Sequence, residues 1–229
     1  MVTNPRITEW PRPGTVRSEA LPLYPVLKFK KGKIVVISSK LTLDRRSLHN
    51  RILEMNEIIK AMEERRSIRK FKPEMPSKDD LNRIIEAGLY AANAKGRQAT
   101  ITVAVTNKEL RDRLSAVNAK ICGREEGFDP FYGAPAILIV LAEKEWANRV
   151  YDGSLVMGNM MLAAHSLNLG SIWIHRAKEE FELPEYQELL KEIGIEGEWE
   201  GIGHCAVGYV DGEYPKPAKR RDNRVFWVE

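Results

Sequence analysis

A chain of 229 residues with 43% apolar residues and a formal charge of +4 is long enough to bury a core of its own. Its longest apolar block, residues 134–142, is too short to cross a bilayer, and two distant cysteines, Cys122 and Cys205, do not suit a disulfide scaffold. Residues 1–54 hold 11 Lys and Arg against 4 Asp and Glu, whereas residues 55–229 hold 25 against 28. We therefore predict a soluble cytoplasmic protein whose basic charge lies in its N-terminal segment.

The N-terminal segment has the composition of an appendage. Residues 1–25 contain five prolines and no sustained period, which is typical of a loop or a disordered arm. Residues 26–37 alternate as in a β-hairpin that turns at Lys31 and Gly32. We therefore divide the chain into a basic N-terminal extension over residues 1–54, partly disordered or hairpin, and one domain over residues 55–229.

Two helices are predicted to open the domain. Residues 55–66 follow a helical period, with Ile58, Ile59 and Met62 on one apolar face. Residues 75–92 follow the same period after a capping box, in which Ser77 precedes Asp80 by three positions. The inner face of this second helix is expected to consist of small and aliphatic residues, namely Leu81, Ile84, Ile85, Ala87 and Gly88.

The rest of the chain alternates strands and helices irregularly. Strands are predicted at residues 100–106, 134–142, 171–175 and 200–210. Helices are predicted at residues 107–120, with Asn107 as its cap, at 152–169 and at 183–195. The helix at 152–169 is apolar on nearly all sides, so we expect it at the centre. The pattern predicts a single α+β domain in which sheet surrounds this helix.

Residues 201–206, GIGHCA, match the glycine pattern of a dinucleotide-binding loop. Such a loop opens a helix, whereas these residues continue into the strand-like sequence VGYV. We therefore interpret them as small residues that pack a strand against the central helix.

Two histidines fall within the predicted central elements. His165 lies in the central helix and is expected to be a hydrogen-bonded core residue. His175 ends a strand and precedes Arg176, a position better suited to contact with a ligand. Neither has a carboxylate at the spacing of metal ligands, so we predict no metal site.

Residues 63–71, EERRSIRKF, place four Lys and Arg side chains around Ser67. A charge run at the end of a helix is usually solvated, and it suits the helix dipole. The alternative is an anion site, because an extended segment would point Arg65, Ser67 and Arg69 to one side, and arginine forks match phosphate. A second basic cluster at residues 219–221 could supply the other half of a phosphate clamp.

Five segments of the domain resemble, in order, motifs of the FMN-dependent nitroreductase family. They are MNEIIKAMEERRSIRKF (55–71), AANAKGRQATITVAV (91–105), FYGAPAILIV (131–140), YDGSLVMGNMMLAAHSLNLGSIWIHR (151–176) and AVGYVDGEYPKPAKRRDNRVFWV (206–228). The resemblance implies a three-layer α/β/α sandwich with a mostly antiparallel central sheet. It also implies an intertwined homodimer with two FMN sites at its interface, and a C-terminal tail that crosses to the other subunit.

The resemblance also assigns cofactor-binding residues. The phosphate and ribityl chain of FMN would be bound by Arg65, Arg66, Ser67 and Arg69, and the phosphate site would be completed by Lys219 and Arg220. The flavin would be bordered by Asn93, Lys95 and Gly96 of the partner subunit and lined along its isoalloxazine edge by His175 and Arg176. Lys70 would be solvated and Phe71 would anchor the core. Gly96 stands where many members have Asn, and Ala99-Thr100 replaces Pro-Trp, so the substrate pocket departs from the family pattern.

The implied activity passes two electrons from NADH or NADPH through bound FMN to a small organic acceptor: a nitroaromatic, quinone, flavin or enone. The mechanism would be ping-pong, and no side chain is named as a general acid because water can supply protons. Two other functions stay open, a non-catalytic FMN-binding or flavin-storage dimer and nucleic-acid binding by residues 1–54. Nucleic acid is the less favoured partner, because aromatic residues do not alternate with the basic ones. No membrane partner is expected.

Overall fold

The structure is a computed structural model that describes residues 27–30, 33–36 and 56–228. The chain divides into two compact units, Met1–Asn56 and Glu57–Glu229. In the first unit, strands β1 (Leu27–Lys30) and β2 (Lys33–Val36) pair antiparallel, which confirms the two strands of the predicted hairpin. Its predicted turn and the predicted arm over residues 1–25 lie outside the described residues.

The second unit has helices on both faces of a four-stranded sheet. Its helices are α1 (Glu57–Glu64), α2 (Lys78–Leu89), α3 (Lys108–Ile121), α4 (Arg149–Ser166), α5 (Ala177–Phe181) and α6 (Pro184–Glu192). Its strands are β3 (Thr100–Val105), β4 (Ala136–Glu143), β5 (Gly170–Ile174) and β6 (Trp199–Gly208). Every predicted helix and strand of this unit is confirmed, with ends that shift by up to three residues, whereas the short helix α5 was not predicted. None of the described helices is long and apolar enough to cross a membrane.

Two helix caps form as the sequence predicts. The Ser77 hydroxyl accepts the Asp80 N–H at 3.1 Å and donates to the Asp80 carboxylate at 2.7 Å. The Asn107 side chain accepts the Leu110 N–H at 2.8 Å. A cap of this kind contributes about 1 kcal/mol to helix stability. Both helices therefore begin at residues fixed by local sequence.

The sheet has the strand order β3-β4-β6-β5, and every pair is antiparallel. Strand β4 is buried on both faces over Ala136–Ala142. On one side of β4, Leu138 and Val140 pack against the layer of α2 and α4. On the other side, Ile137 and Ile139 pack against the layer of α3, α5 and α6. The three-layer α/β/α arrangement and the antiparallel sheet are thereby confirmed.

The sheet, and not helix α4, is the central layer, so the prediction of sheet surrounding this helix is wrong. Helix α4 buries Met157 and Met160 against the sheet side of the molecule. Its opposite side exposes Tyr151 at 72% and Leu155 at 49%. The helix is apolar on nearly all sides because apolar residues also occupy this exposed face, a case that periodicity alone does not separate from full burial.

The glycines of the GIGHCA segment lie in strand β6, as predicted. Gly203 is on the face of the sheet that carries α4, but the atoms nearest to each glycine belong to other elements. A Cβ on Gly201 would lie 2.1 Å from the Ala177 carbonyl oxygen of α5, and a Cβ on Gly203 would lie 2.3 Å from Trp173 Nε1 of β5. The contact with α4 is made instead by Ile202, whose side chain fills the space above Gly153. These glycines therefore permit the close approach of α5 and Trp173 to β6.

Candidate functional site

The basic run after α1 is an extended segment held against the sheet. The Ile68 N–H donates to the Ser171 carbonyl at 3.1 Å, and Ser67 pairs with Ser171 in a parallel bridge at the start of β5. Four residues after Ser67, Phe71 pairs with Val210 beyond β6. The side chains of Ile68 and Phe71 are buried, which confirms Phe71 as a core anchor. These contacts fix the polar residues between them at the edge of the sheet.

Arg65 lies half-buried close to Cys205 of β6. Burial raises the pKa of the Cys205 thiol to about 12, and the nearby Arg65 guanidinium offsets only part of this rise. The Nη1 atom of Arg65 is buried and has no hydrogen-bond partner among the described residues. A buried guanidinium N–H without an acceptor is costly, and an anion would satisfy it. Arg65 therefore has the environment of a residue that binds an anion.

Arg66 is oriented differently from Arg65. Its Nη1 donates to the carbonyls of Glu63 and Arg65, at 2.6 and 2.7 Å, at the C-terminal end of α1. Its backbone N–H donates to the Tyr214 hydroxyl at 3.1 Å. The Nη1 atom of Arg66 therefore satisfies carbonyls at a helix end, where a positive charge is also favourable. Its Nε, like Nη1 of Arg65, is buried without a hydrogen-bond partner among the described residues.

Two further residues of the run, Arg69 and Lys70, are both exposed and differ in their pairing. Arg69 is exposed. Lys70 is also exposed but lies 2.7 Å from the Asp211 carboxylate, so the prediction of a solvated Lys70 is right about exposure and misses this ion pair. Because an exposed pair is worth little, Lys70 serves as a neutral position for comparison.

A cleft of about 480 Å³ opens beside Arg66 near the C-terminal end of α4. It is lined by His165, whose Nδ1 lies 3.0 Å from the Tyr214 hydroxyl, and by Pro215 and Pro217 of the tail. His165 is therefore hydrogen-bonded, as predicted, but only half-buried, so its predicted place in the core is wrong. Among the histidines that the structure describes, the fully buried one is His204 of β6, which the sequence did not single out.

Lys219 and Arg220 are exposed in the tail that follows β6. Over residues 56–228, neither side chain makes a hydrogen bond or an ion pair with the basic run. The phosphate clamp between the two basic clusters is thus not assembled within one chain, and it stays a prediction. The tail also exposes Phe226 and Trp227, at 82% and 83%.

The loop between α2 and β3 is shaped by polar contacts. Its Ala94 N–H donates to Asp152 Oδ1 at 3.0 Å, and its Gln98 N–H donates to Asn93 Oδ1 at 2.9 Å. Lys95 adopts a left-handed backbone with a φ of 58°. Gly96 is exposed and has a φ of 64°, with no atom within 4 Å of an added Cβ. The loop is fixed at its base and open at Lys95 and Gly96.

Helix α4 keeps this loop away from the basic run. Asp152, which holds the loop, lies near the start of α4, and His165, which lies beside Tyr214 and Arg66, lies near its end. At 1.5 Å per residue these two positions are about 20 Å apart. One chain therefore presents the Asn93–Gly96 loop and the basic run at opposite ends of the same helix.

The turn of His175 and Arg176 follows β5, at the other end of the strand from Ser67. The His175 carbonyl accepts Asn118 Nδ2 at 2.8 Å. Arg176 has a φ of 81°, and its Nη1 donates to Glu179 at 2.7 Å. Both turn residues are exposed. Because a strand rises about 3.3 Å per residue, the basic run and the turn lie about 13 Å apart along the edge strand β5.

Sequence reasoning missed the buried polar residues that hold these two loops. They are Asn118, Asp152, Glu180 and His204, each no more than 3% exposed. The sequence could have identified Asp152, since it is an acidic residue at the start of an otherwise apolar helix. No comparable signal marks Glu180, because its partner His204 lies on a different element. Among the described residues, no three His, Cys, Asp or Glu side chains cluster as metal ligands would, and the prediction of no metal site stays a prediction.

A family model described as the Nitroreductase family matches residues 62–209. The chain belongs to the nitroreductase family. Its fold is similar to a nitroreductase with bound FMN from Bacteroides fragilis, at 29% identity and a TM-score of 0.69, over 76% of this chain and 100% of that one. The resemblance inferred from five sequence segments is thereby confirmed.

Two nitroreductase relatives carry functional names. A protein of Methanothermobacter thermautotrophicus, named as an NADH dehydrogenase/NAD(P)H nitroreductase, is 28% identical over 51% of this chain and 60% of its own length. An FMN reductase [NAD(P)H] of Bacillus subtilis is 26% identical over 58% of this chain and 62% of its own length. The chain thus spans less than two thirds of the length of either relative.

Proposed function

We propose that this member of the nitroreductase family is an FMN-dependent oxidoreductase that passes two electrons from NADH or NADPH to a small organic acceptor. The observation that carries the proposal is the arrangement along β5, with cations and a hydroxyl at one end and an exposed turn at the other. This arrangement suits an elongated ligand that has a phosphate at one end and a planar ring at the other. The FMN-bound relative and the FMN reductase relative support the same assignment.

The residues at the phosphate end fit such a ligand. The buried Nη1 of Arg65 lacks an acceptor among the described residues, and a phosphate oxygen would provide one. Ser67 and Arg69 would contact the phosphate and ribityl chain, and the backbone N–H groups near them are held by the Ile68 contact to β5. Arg66 would contribute its Nε, which also lacks an acceptor among the described residues, while its Nη1 is bound to the end of α1.

The turn would hold the ring edge. The Glu179 carboxylate raises the pKa of Arg176, so this arginine is positively charged at any working pH. Such a charge would stabilise an anionic reduced flavin. Bound FMN would supply the two-electron transfer between nicotinamide and acceptor. Because His175 and Arg176 are exposed, donor and acceptor would use the same open side in turn, which is the geometry of a ping-pong mechanism.

A homodimer would complete the site. Asn93, Lys95 and Gly96 would border the flavin of the partner, and the tail with Lys219 and Arg220 would reach its phosphate. Two observations support this assembly. The loop and the basic run lie at opposite ends of α4. The tail exposes large apolar side chains, which a second subunit would bury.

Anaerobic reduction tests the proposed function. The purified protein should bind FMN, turn yellow and bleach on addition of NADH or NADPH, and the reduced protein should then be reoxidised by nitroaromatics, quinones, free flavin or enones. A colourless protein that takes up no FMN on incubation would overturn the proposal. A yellow protein that neither nicotinamide bleaches would instead support a flavin-binding or flavin-storage role.

A further inference from the structure

The turn of His175 and Arg176 is a backbone reversal between a strand and a helix in only two residues. Strand β5 ends at Ile174, and helix α5 begins at Ala177. Arg176 lies in the left-handed region with a φ of 81°, a conformation that L-residues adopt only when their surroundings impose it. Contacts beyond the turn must therefore hold it in place.

Both carbonyls of the turn are bound by neighbouring elements. The His175 carbonyl accepts Nδ2 of Asn118, a side chain of α3 that is fully buried. The Arg176 carbonyl accepts the backbone N–H of Glu180 at 2.9 Å, the first hydrogen bond of α5. The position of the turn thus depends on the positions of Asn118 and Glu180.

Glu180 is itself fixed by a buried partner on the sheet. Its Oε2 lies 2.7 Å from His204 Nε2, and both side chains are 0% exposed. His204 is the residue opposite Ile174 in the ladder between β6 and β5, directly before the turn. Phe131 packs against the His204 ring, with centroids 5.3 Å apart. Helix α5 is therefore joined to β6 by a close, buried polar contact immediately behind the turn.

The backbone approach reinforces this contact. Gly201 of β6 lies so close to α5 that an added Cβ would be 2.1 Å from the Ala177 carbonyl oxygen. No side chain separates the helix from the strand at this point. A shift of α5 along or away from β6 would therefore move Arg176 directly.

The polar pair is a poor source of stability. Both carboxylate oxygens of Glu180 and both ring nitrogens of His204 are buried without a hydrogen bond of good geometry among the described residues, although Oε2 and Nε2 lie 2.7 Å apart. Buried pairs of this kind are often no more stabilising than apolar residues of the same volume. Their difference from apolar contacts is that displacement is costly, because a shift that separates the carboxylate from the imidazole would leave two polar groups buried with neither each other nor water.

We propose that Asn118, Glu180 and His204 form a positioning clamp that fixes the His175–Arg176 turn against the flavin. The inference rests on the proposed function, since it assigns these residues to the ring end of the same site. None of the three is assigned contact with the flavin itself. They act through the backbone of the turn, which would otherwise be free to relax from its left-handed conformation.

The test replaces the polar pair without leaving a buried charge alone. The double variant Glu180→Met with His204→Leu keeps apolar volume and should unfold in urea at a midpoint equal to or above that of the wild type. Hydrogen exchange of the peptide covering residues 174–178, measured without FMN, should become about tenfold faster or more. The Kd for FMN, from quenching of flavin fluorescence, should rise by about tenfold, the size typical of lost outer contacts to a ligand site.

Three further variants separate positioning from stability. Glu180→Gln retains the shape of the side chain and a polar atom facing His204, and both the exchange rate and the FMN affinity should stay near the wild-type values. Asn118→Ala removes the other contact and should weaken FMN binding in the same direction as the double variant. Ser77→Ala loses the cap of α2, which packs on the other face of the sheet, and serves as a control for lost stability away from the turn, so its FMN Kd should stay unchanged.

A double variant with wild-type exchange at residues 174–178, or with wild-type FMN affinity despite faster exchange, would overturn the clamp. A wild-type protein that binds no FMN would overturn the proposed function instead. In that case the exchange measurement alone decides whether the three residues fix the turn. The two failures are therefore distinguishable.

Discussion

Asp152 accepts a hydrogen bond from the backbone N–H of Ala94 at 3.0 Å and so ties the start of α4 to the loop after α2. Its other carboxylate oxygen accepts Trp146 Nε1 at 2.7 Å. The side chain is 3% exposed, so water does not replace these partners.

Asp152→Asn should therefore lower stability. The amide group would present an NH₂ donor to one of two N–H donors and leave that donor unsatisfied. The free energy of unfolding, measured with urea, should fall by about 1–3 kcal/mol. Glu86→Gln, which makes the same chemical change at an exposed site on α2, should change it by less than about 0.5 kcal/mol. Equal effects of the two variants would contradict the assigned contacts.

Gly203→Ala should destabilise the sheet, because the new methyl group would overlap Trp173. The expected loss is about 1–3 kcal/mol, as for other insertions into a packed interior. Gly158→Ala is a matched control on α4, where an added Cβ meets no atom within 4 Å. Since alanine is the better helix former, this control should gain about 0.5–1 kcal/mol. In thermal unfolding, the Tm should fall for Gly203→Ala and rise for Gly158→Ala.

Asp129 should give the protein a pH-dependent stability on the acid side. Burial alone would raise the pKa of Asp129, but hydrogen bonds from Arg111, Ser115 and the Gly133 N–H outweigh burial and hold it below its ordinary value of 3.8. The unfolded chain therefore binds the proton first as the pH falls, and stability is lost from about pH 5 downward. The difference in unfolding free energy between wild type and Asp129→Asn should shrink between about pH 5 and pH 3. A difference that stays constant over this range would rule out the assigned shift.

Arg65→Ala should weaken FMN retention more than it weakens folding. A lost charge-assisted hydrogen bond of about 1.5–3 kcal/mol corresponds to a Kd that rises by about tenfold to a hundredfold. Arg69→Ala should act in the same direction. Lys70→Ala removes a cation from the same run, yet its only described partner is Asp211, so its FMN Kd should stay near that of the wild type. Full FMN occupancy in both arginine variants would return the run to the interpretation of a solvated helix end.

Local sequence signals predicted most of the fold. The caps at Ser77 and Asn107 and the apolar run of β4 depend on neighbours in the sequence, and each formed as expected. The layer in which α4 lies was predicted wrongly, because apolar residues on its exposed face and apolar residues in the core follow the same periodicity. Helix α5 was missed because it has only five residues. Its position depends on a close approach of Ala177 to Gly201 of β6, which lies far along the chain.

The candidate site was predictable only where it is continuous in sequence. The run from Arg65 to Arg69 and the turn at His175 and Arg176 each occupy a few adjacent residues. Their supports, such as the contact of Glu180 with His204, join elements that are far apart in the chain. No period or spacing reports such a contact, so this part of the site became visible only with the fold.

The length of α4 has a genetic consequence if the site is shared between two chains. A subunit that lacks Arg65 would damage its own phosphate end, whereas a subunit that lacks Asn93 would damage the ring end of its partner. Each variant alone would then have two defective sites. A mixed dimer of the two variants would collect both defects in one site and leave the other intact. With random pairing half of the dimers are mixed, so co-expression of two inactive alleles would restore about a quarter of the normal number of sites, a complementation that the separation of about 20 Å along one helix makes possible.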